Sequence, residues 1–201
     1  MNSPFKRAGA VFGILALAVA AIFGALAAAP AHAAQGTPHL MLTLKDGVVD
    51  IELLPDLAPK HVERIIALTE KGAYDNVLFH RVIEGFMAQT GDVQFAKVGG
   101  PDFNPQNFGM GGSDMPDVKA EFSSTHYDRG IVGAARSQDP DSFNSQFFIT
   151  LADAGFLDGQ YTVFGKVVAG MEFVDNIKKG DPRSGAMDDP DKIISAKIEY
   201  R

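Results

Sequence analysis

The chain has 201 residues, 46% apolar and 21% charged, with 21 Gly, 11 Pro and no Cys. That composition excludes a collagen, a disulfide framework and a disordered tail, and the length suits one globular domain. Residues after 33 carry 16 basic against 25 acidic groups, a net −9. Nucleic acid is therefore not an expected partner, since such affinity comes largely from Lys and Arg on phosphates.

Residues 1–33 read as an address. Lys6 and Arg7 precede an uncharged, Ala-rich run over 8–29, and Ala31-His32-Ala33 is an A-x-A cleavage pattern. This is the layout of a signal peptide, with cleavage expected after Ala33. The remaining domain, 34–201, is expected to be exported, periplasmic, free of disulfides and not inserted in a membrane once the leader is removed.

Residues 40–44 alternate weakly, 45–47 (Lys-Asp-Gly) read as a turn and 48–54 follow, which is a hairpin signal. Pro59 opens a helix with Val62, Ile65, Ile66 and Thr69 on one face and Gly72 as its stop. Strand-like runs follow at 77–83, 131–135, 146–151, 162–168 and 193–200, with a second helix over 171–179 closed by Gly180. Residues 94–115 form a long Gly-, Pro- and Asn-rich loop, of the kind that is usually functional. Many short strands with two helices suggest an antiparallel barrel or sandwich, and periodicity does not choose between them.

The usual signatures of covalent, hydrolytic and redox chemistry are missing, and a metal site could arise only through folding. There is no G-x-S-x-G elbow, no Cys and no H-x-x-x-H pair. Gly109-Met110-Gly111-Gly112 lacks a following Lys-Ser/Thr. Asp181, Asp188, Asp189 and Asp191 are interrupted by Pro182 and Pro190 and read as a solvated loop. No metal and no cofactor are expected.

Three segments concentrate aromatic, amide and cationic side chains instead: 79–92 (Phe-His-Arg-Val-Ile-Glu-Gly-Phe-Met-Ala-Gln-Thr-Gly-Asp), 143–149 (Phe-Asn-Ser-Gln-Phe-Phe-Ile) and 155–161 (Gly-Phe-Leu-Asp-Gly-Gln-Tyr). Strand alternation would put Phe79, Arg81 and Ile83 on one face, with His80 and Val82 on the other. From residue chemistry alone the chain is an exported all-β domain with a peptide or small-molecule pocket.

At these residues the sequence resembles the cyclophilin family of peptidyl-prolyl cis-trans isomerases. The likeness runs from Leu40 to Tyr200. It includes Tyr74, the run from Phe79 to Gly91, Gly130-Ile131-Val132, Ser145-Gln146-Phe147-Phe148-Ile149, Leu157-Asp158-Gly159 and Val163-Phe164-Gly165-Lys166-Val167. The resemblance implies an all-β dominated fold, a closed eight-stranded antiparallel β-barrel with two capping α-helices. It implies isomerisation of X-Pro bonds in proline-containing polypeptide clients by a monomer.

Carried over by matched position, Arg81 is implied as the catalytic arginine, with Phe86 and Gln89 beside it. Met87, Phe148 and Leu157 join Phe86 as walls of a proline pocket, with Phe156 and Tyr161 at its edge. Gln146, Ala135 and Arg136 are implied to hold substrate backbone, and His80 to line the same site. Thr90 stands where the family usually has Gly or Ala, and Arg136 where many members have Asn. Phe156 replaces the Trp of cyclosporin-sensitive members, which implies weakened cyclosporin binding. The stretch between Gln138 and Asn144 is one residue longer.

The inventory suits such a reaction. Amide rotation costs roughly 18–20 kcal/mol because of resonance, and X-Pro exchange takes tens of seconds or more. No bond breaks, so no nucleophile is needed. The competing classes are a non-catalytic proline-peptide binder, which would need the aromatics more than Arg81, and a structural or assembly factor of the export compartment.

Overall fold

The structure, a computed structural model, describes residues 36–201. The leader expected over 1–33 lies outside them. Eight strands and two α-helices are seen in the order β1 (Pro38–Thr43), β2 (Val48–Leu53), α1 (Pro59–Glu70), β3 (Arg81–Ile83), β4 (Met87–Thr90), β5 (Ile131–Ala134), β6 (Phe147–Thr150), β7 (Val163–Ala169), α2 (Met171–Asp175) and β8 (Ser195–Tyr200). All pairings are antiparallel, in the order β3-β4-β6-β5-β7-β2-β1-β8.

The expected hairpin is β1–β2, closed where Leu44 N–H donates to the Gly47 carbonyl at 2.8 Å. Pro59 sits in the first turn of α1, where its missing N–H costs nothing. The free amides of Lys60 and His61 find a distant cap. Both donate to the Glu121 carboxylate, at 3.2 and 3.1 Å, and the His61 ring lies 2.7 Å from it. Burial nonetheless lowers the His61 pKa, with Glu121 opposing. The apolar face of α1, with Val62, Ile65, Ile66 and Leu68, packs into the main core with Leu40, Ile51, Phe79 and Phe147.

Three expectations are corrected. The ladder does not close into a barrel, because β3 and β8 stand at its two ends and do not pair with each other. Among the described residues one isolated bridge, Leu78 to Lys192, links the segments that lead into β3 and β8. The run 77–83 is a strand only from Arg81, because the outer edge of β3 is occupied by a loop. Val82 N–H donates to the Gly185 carbonyl at 3.0 Å, and Gly180 N–H donates to the Val82 carbonyl at 2.9 Å. Phe79, outside the strand, therefore lies in the core rather than beside Arg81. Helix α2 ends at Asp175 rather than 179, since the Lys178 amide is taken by the Asp191 carboxylate at 2.8 Å.

Alternation along β3, β4, β5 and β6 divides the side chains. Val82, Ala88, Ala134, Phe147 and Ile149 enter the main core. Met87 and Phe148 form a second cluster with Leu157 and Val163, packed by Ile83, Phe86, Ala135 and Tyr161. This outer cluster builds the site.

Candidate active site

The register sets one row of side chains across four strands. Arg81 pairs with Gln89, Gln89 with Phe148, and Phe148 with Gly133. A guanidinium, an amide and an aromatic ring are thus neighbours by strand pairing alone. Gly133 completes the row by being absent as a side chain. A Cβ there would lie 2.4 Å from Phe148 Cζ and 2.5 Å from the Tyr127 hydroxyl. Only glycine lets the Phe148 ring lie across β5.

Around this row is a hollow of about 380 Å³ lined by Arg81, Phe86, Met87, Gln89, Ala135, Arg136, Phe148, Phe156, Leu157, Gln160 and Tyr161. Met87, Phe148 and Leu157 are buried walls, whereas Phe156 is 66% exposed and tilts over Phe86 with centroids 5.3 Å apart. Tyr161 meets Phe148 edge-on at 5.8 Å. Arg136 is a rim residue by its side chain as well. Its guanidinium carbon lies 4.4 Å over the Tyr161 ring, and its Nε and Nη2 donate to the Gln160 carbonyl at 3.2 and 3.0 Å.

Arg81 is half-buried. Its Nε donates to the Ser184 carbonyl at 3.0 Å and its Nη1 to Gln89 Oε1 at 3.3 Å, with Met87 Sδ 3.7 Å from Nη1. Burial lowers its pKa, with Tyr161 opposing, yet a guanidinium stays charged in proteins. Gln89 Nε2 donates to Gln146 Oε1 at 3.0 Å, and Gln146 Nε2 to the Gly111 carbonyl at 2.8 Å. Both amides are thereby held in single orientations.

Ten of the twelve residues singled out in the sequence line this hollow. Gln146 does not, but lies beside it, lining a second hollow of about 560 Å³ with Gln89, Ala135 and Arg136. His80 does not either. Its ring is buried, a Cβ on Gly109 would stand 3.3 Å from its Nε2, and it borders a wide groove of about 1150 Å³ that the hollow meets at Arg81 and Gln89. Neither ring nitrogen of His80 makes a hydrogen bond of ordinary geometry, and burial lowers its pKa. His80 thus borders the adjoining groove, next to Arg81 and Gln89, and not the apolar hollow itself.

Two contributors escape sequence reading. Gln160 lines the rim through its place after Gly159, with no signal of its own. Asp92 is fully buried, and its carboxylate accepts four backbone N–H bonds. Oδ1 takes those of Gln94 and Phe95 at 3.2 and 2.8 Å, and Oδ2 those of Gly109 and Gly111 at 2.8 and 3.2 Å. An Asp opening a Gly-rich loop was the available signal. Gly111 is the residue that holds Gln146, so Asp92 anchors the amide relay that ends at Arg81.

A second device fixes the opposite wall. His126 Nδ1 lies 2.6 Å from Asp158 and Nε2 2.8 Å from Asp153, and Asp158 also accepts the Tyr127 N–H at 2.9 Å. These bonds clip the 3₁₀ turn Gly155–Leu157 that carries Phe156 and Leu157. Hydrogen bonds from Asp158 and then Asp153 raise the His126 pKa from 6.5 to about 9, and both carboxyls are lowered in return. Because the folded value of His126 lies above the unfolded one, the clip stabilises fully below pH about 6.5. That stabilisation is lost as pH rises through about 9. At the acid end it is lost as pH falls through the lowered carboxyl values. Urea midpoints are therefore expected to fall between pH 7 and 10 more steeply for the protein than for His126→Gln. Parallel profiles would show the clip contributes nothing.

The described residues thus form an eight-stranded antiparallel sheet with two helices, a β-dominated domain that presents an apolar hollow beside one braced arginine and two oriented amides. The family model for "Cyclophilin type peptidyl-prolyl cis-trans isomerase/CLD" matches residues 39–198. The chain is 53% identical over 195 residues to a "Probable peptidyl-prolyl cis-trans isomerase" of Brucella suis, covering 96% of each. It is 36% identical to peptidyl-prolyl cis-trans isomerase A of Dickeya dadantii, covering 90% of this chain and 95% of that one. Among solved structures, a cyclophilin-type isomerase of Cryptosporidium parvum superposes with a TM-score of 0.69 at 28% identity, covering 82% of this chain and 99% of that one. A structure of that protein in the presence of the dipeptide Ala-Pro superposes with a TM-score of 0.68 at 29% identity, covering 81% and 99%. The chain belongs to the cyclophilin-type peptidyl-prolyl cis-trans isomerase family. It is an isomerase of class EC 5.2.1.8.

Proposed function

We propose that this isomerase accelerates X-Pro rotation by stabilising the twisted amide with Arg81, the prolyl ring being seated against Phe86, Met87, Phe148 and Leu157. The observation that carries this is the state of the guanidinium. Its Nε and Nη1 are engaged by Ser184 and Gln89, and among the described residues nothing bonds Nη2, so that end is free for a ligand at the edge of the apolar hollow.

In the planar amide the prolyl nitrogen lone pair is delocalised and accepts nothing. As the C–N bond twists, the nitrogen pyramidalises and regains the pair. A donor placed there bonds the twisted state alone, which is the differential binding that raises a rate. The buried walls exclude water and strengthen the charge–dipole term, and a donor already held in place needs no reorganisation. Gln89 and Gln146, neutral and fixed, suit the carbonyl side of the bond. The dipeptide Ala-Pro named with the Cryptosporidium structure is consistent with proline-containing substrates here.

The clients are proposed to be exported polypeptides, whose folding the enzyme assists in the periplasm, because residues 1–33 carry the signal layout. Mass spectrometry of the exported protein is expected to find Ala34 at its N-terminus, and a retained leader would contradict this. Phe156, with no donor in its ring, supports weak cyclosporin binding. The experiment for the activity is NMR exchange on a short X-Pro peptide, which the protein is expected to accelerate at catalytic concentration. Binding without acceleration would leave a proline-peptide binder.

A further inference from the structure

We infer that the loop over residues 180–186 is a brace that aims the Arg81 guanidinium, and that Asp181 is its positioning residue. The inference rests on the proposed role of Arg81. β3 is three residues long and ends the sheet, so no strand supports its outer side. The loop takes that place through its two backbone bonds to Val82.

From there it reaches the side chain itself. The Ser184 carbonyl accepts the Arg81 Nε–H at 3.0 Å. Gly185, at φ +78°, lies flat against the arginine stem. A Cβ there would stand 2.8 Å from Arg81 Cγ and 2.9 Å from Ile83 Cγ1. The loop thus touches the arginine at its stem and at its first donor, while Gln89 holds Nη1 from the other side. Two points of contact orient a planar guanidinium, whereas one leaves it free to swing, and Nη2 is aimed only while both hold.

Asp181 gives the loop its shape. Its Oδ1 accepts the N–H of Arg183 at 3.0 Å, the N–H of Ser184 at 2.8 Å and the Ser184 hydroxyl at 3.0 Å. Its backbone carbonyl accepts the Gly185 N–H at 2.7 Å, and its own N–H donates to the Ala186 carbonyl at 2.9 Å. The Ser184–Gly185 peptide is therefore pinned at its N–H by Asp181 and presents its carbonyl to Arg81. The Ser184 and Arg183 bonds also hold the Asp181 carboxyl below the usual carboxylate range. Read from sequence, Asp181 belonged to a solvated acidic loop. Asp189 and Asp191 face Lys178 and Lys45; Asp181 is exposed, as that reading expects, and its carboxylate bonds its own loop instead.

The test is a set of variants assayed for kcat and KM separately. Asp181→Ala removes the three bonds to Oδ1 and is expected to lower kcat about tenfold with KM within about twofold, since the pocket walls are untouched. Asp181→Asn retains the Oδ1 acceptor and is expected to return kcat to within about twofold of the parent. In the Arg81→Ala background, Asp181→Ala is expected to change nothing further, because the two act as one unit. Arg81 Nε–H, followed by ¹⁵N NMR, is expected to exchange with water faster in Asp181→Ala. Gly185→Ala, which displaces the arginine stem directly, is expected to lower kcat similarly if Asp181→Ala does not fold. An unchanged kcat in Asp181→Ala and Gly185→Ala, or an Asn variant as slow as the Ala one, overturns the brace. If Arg81→Ala alone leaves the rate intact, the proposed role of Arg81 fails instead.

Discussion

Arg81→Ala is expected to lower kcat/KM on a short X-Pro peptide by about 10²-fold, roughly 3 kcal/mol of barrier, which is the cost of losing one preorganised donor. The size follows from where the charge sits. Arg81 is half-buried beside Met87 and Phe148, with two of its three nitrogens already engaged, so its interaction with the substrate nitrogen needs little reorganisation. Peptide affinity should change far less, because the prolyl ring rests on side chains the substitution leaves in place. Arg81→Lys is expected to recover little, since an ammonium gathers its three donors on one nitrogen and lacks the planar fork that reaches Ser184, Gln89 and a ligand from separate atoms. Line shapes and exchange spectra give both quantities from one titration. A loss below about threefold would falsify the role assigned to Arg81.

The second large effect lies outside the pocket. Asp92→Ala is expected to destabilise the protein by about 3 kcal/mol, because four part-buried N–H groups lose their one buried acceptor together. Asp92→Asn should fall between. It keeps an oxygen toward Gln94 and Phe95 but turns an amide donor on Gly109 and Gly111. Activity is expected to suffer in both, by less than Arg81→Ala. The loop releases Gln146, which then no longer orients Gln89 against Arg81. Urea unfolding reads the first effect and the exchange assay the second. A shift under about 1 kcal/mol for Asp92→Ala would mean the loop is held by other bonds.

Both predictions concern residues on one stretch of chain, yet only one of them was legible as functional. Arg81 stands in a motif whose order and spacing are specific, and matched position implied a role for it. Asp92 closes the same motif with only its place before a Gly-rich loop to mark it, because a buried carboxylate whose side chain accepts only backbone amides has no partner side chain in the sequence. β4 carries no strand signal in the sequence for a related reason. Its inward residues are Ala88 and Thr90 and its outward ones Met87 and Gln89, so polarity does not follow the pleat. Helix α1 and the β1–β2 hairpin were legible because their signals are local: Pro59, a 3.6-residue apolar period, and a Lys-Asp-Gly turn. Gly72, read as a stop, does end α1: Gly72 N–H returns to the Thr69 carbonyl at 2.9 Å and Ala73 N–H to that of Leu68 at 2.9 Å.

The sequence by itself therefore determined the family, the all-β character, and ten of the residues around the hollow, since these rest on residue type and order. Tertiary structure decided the rest. It placed His80 on the groove that adjoins the hollow, left the sheet open between β3 and β8, and set the Arg136 guanidinium over the Tyr161 ring. It also brought the Ser184 carbonyl to an arginine 103 positions earlier in the chain. The physical reason is common to these cases. Strand register, sheet closure and a backbone carbonyl's partner depend on contacts between distant segments, and a peptide group looks the same in every residue that carries it.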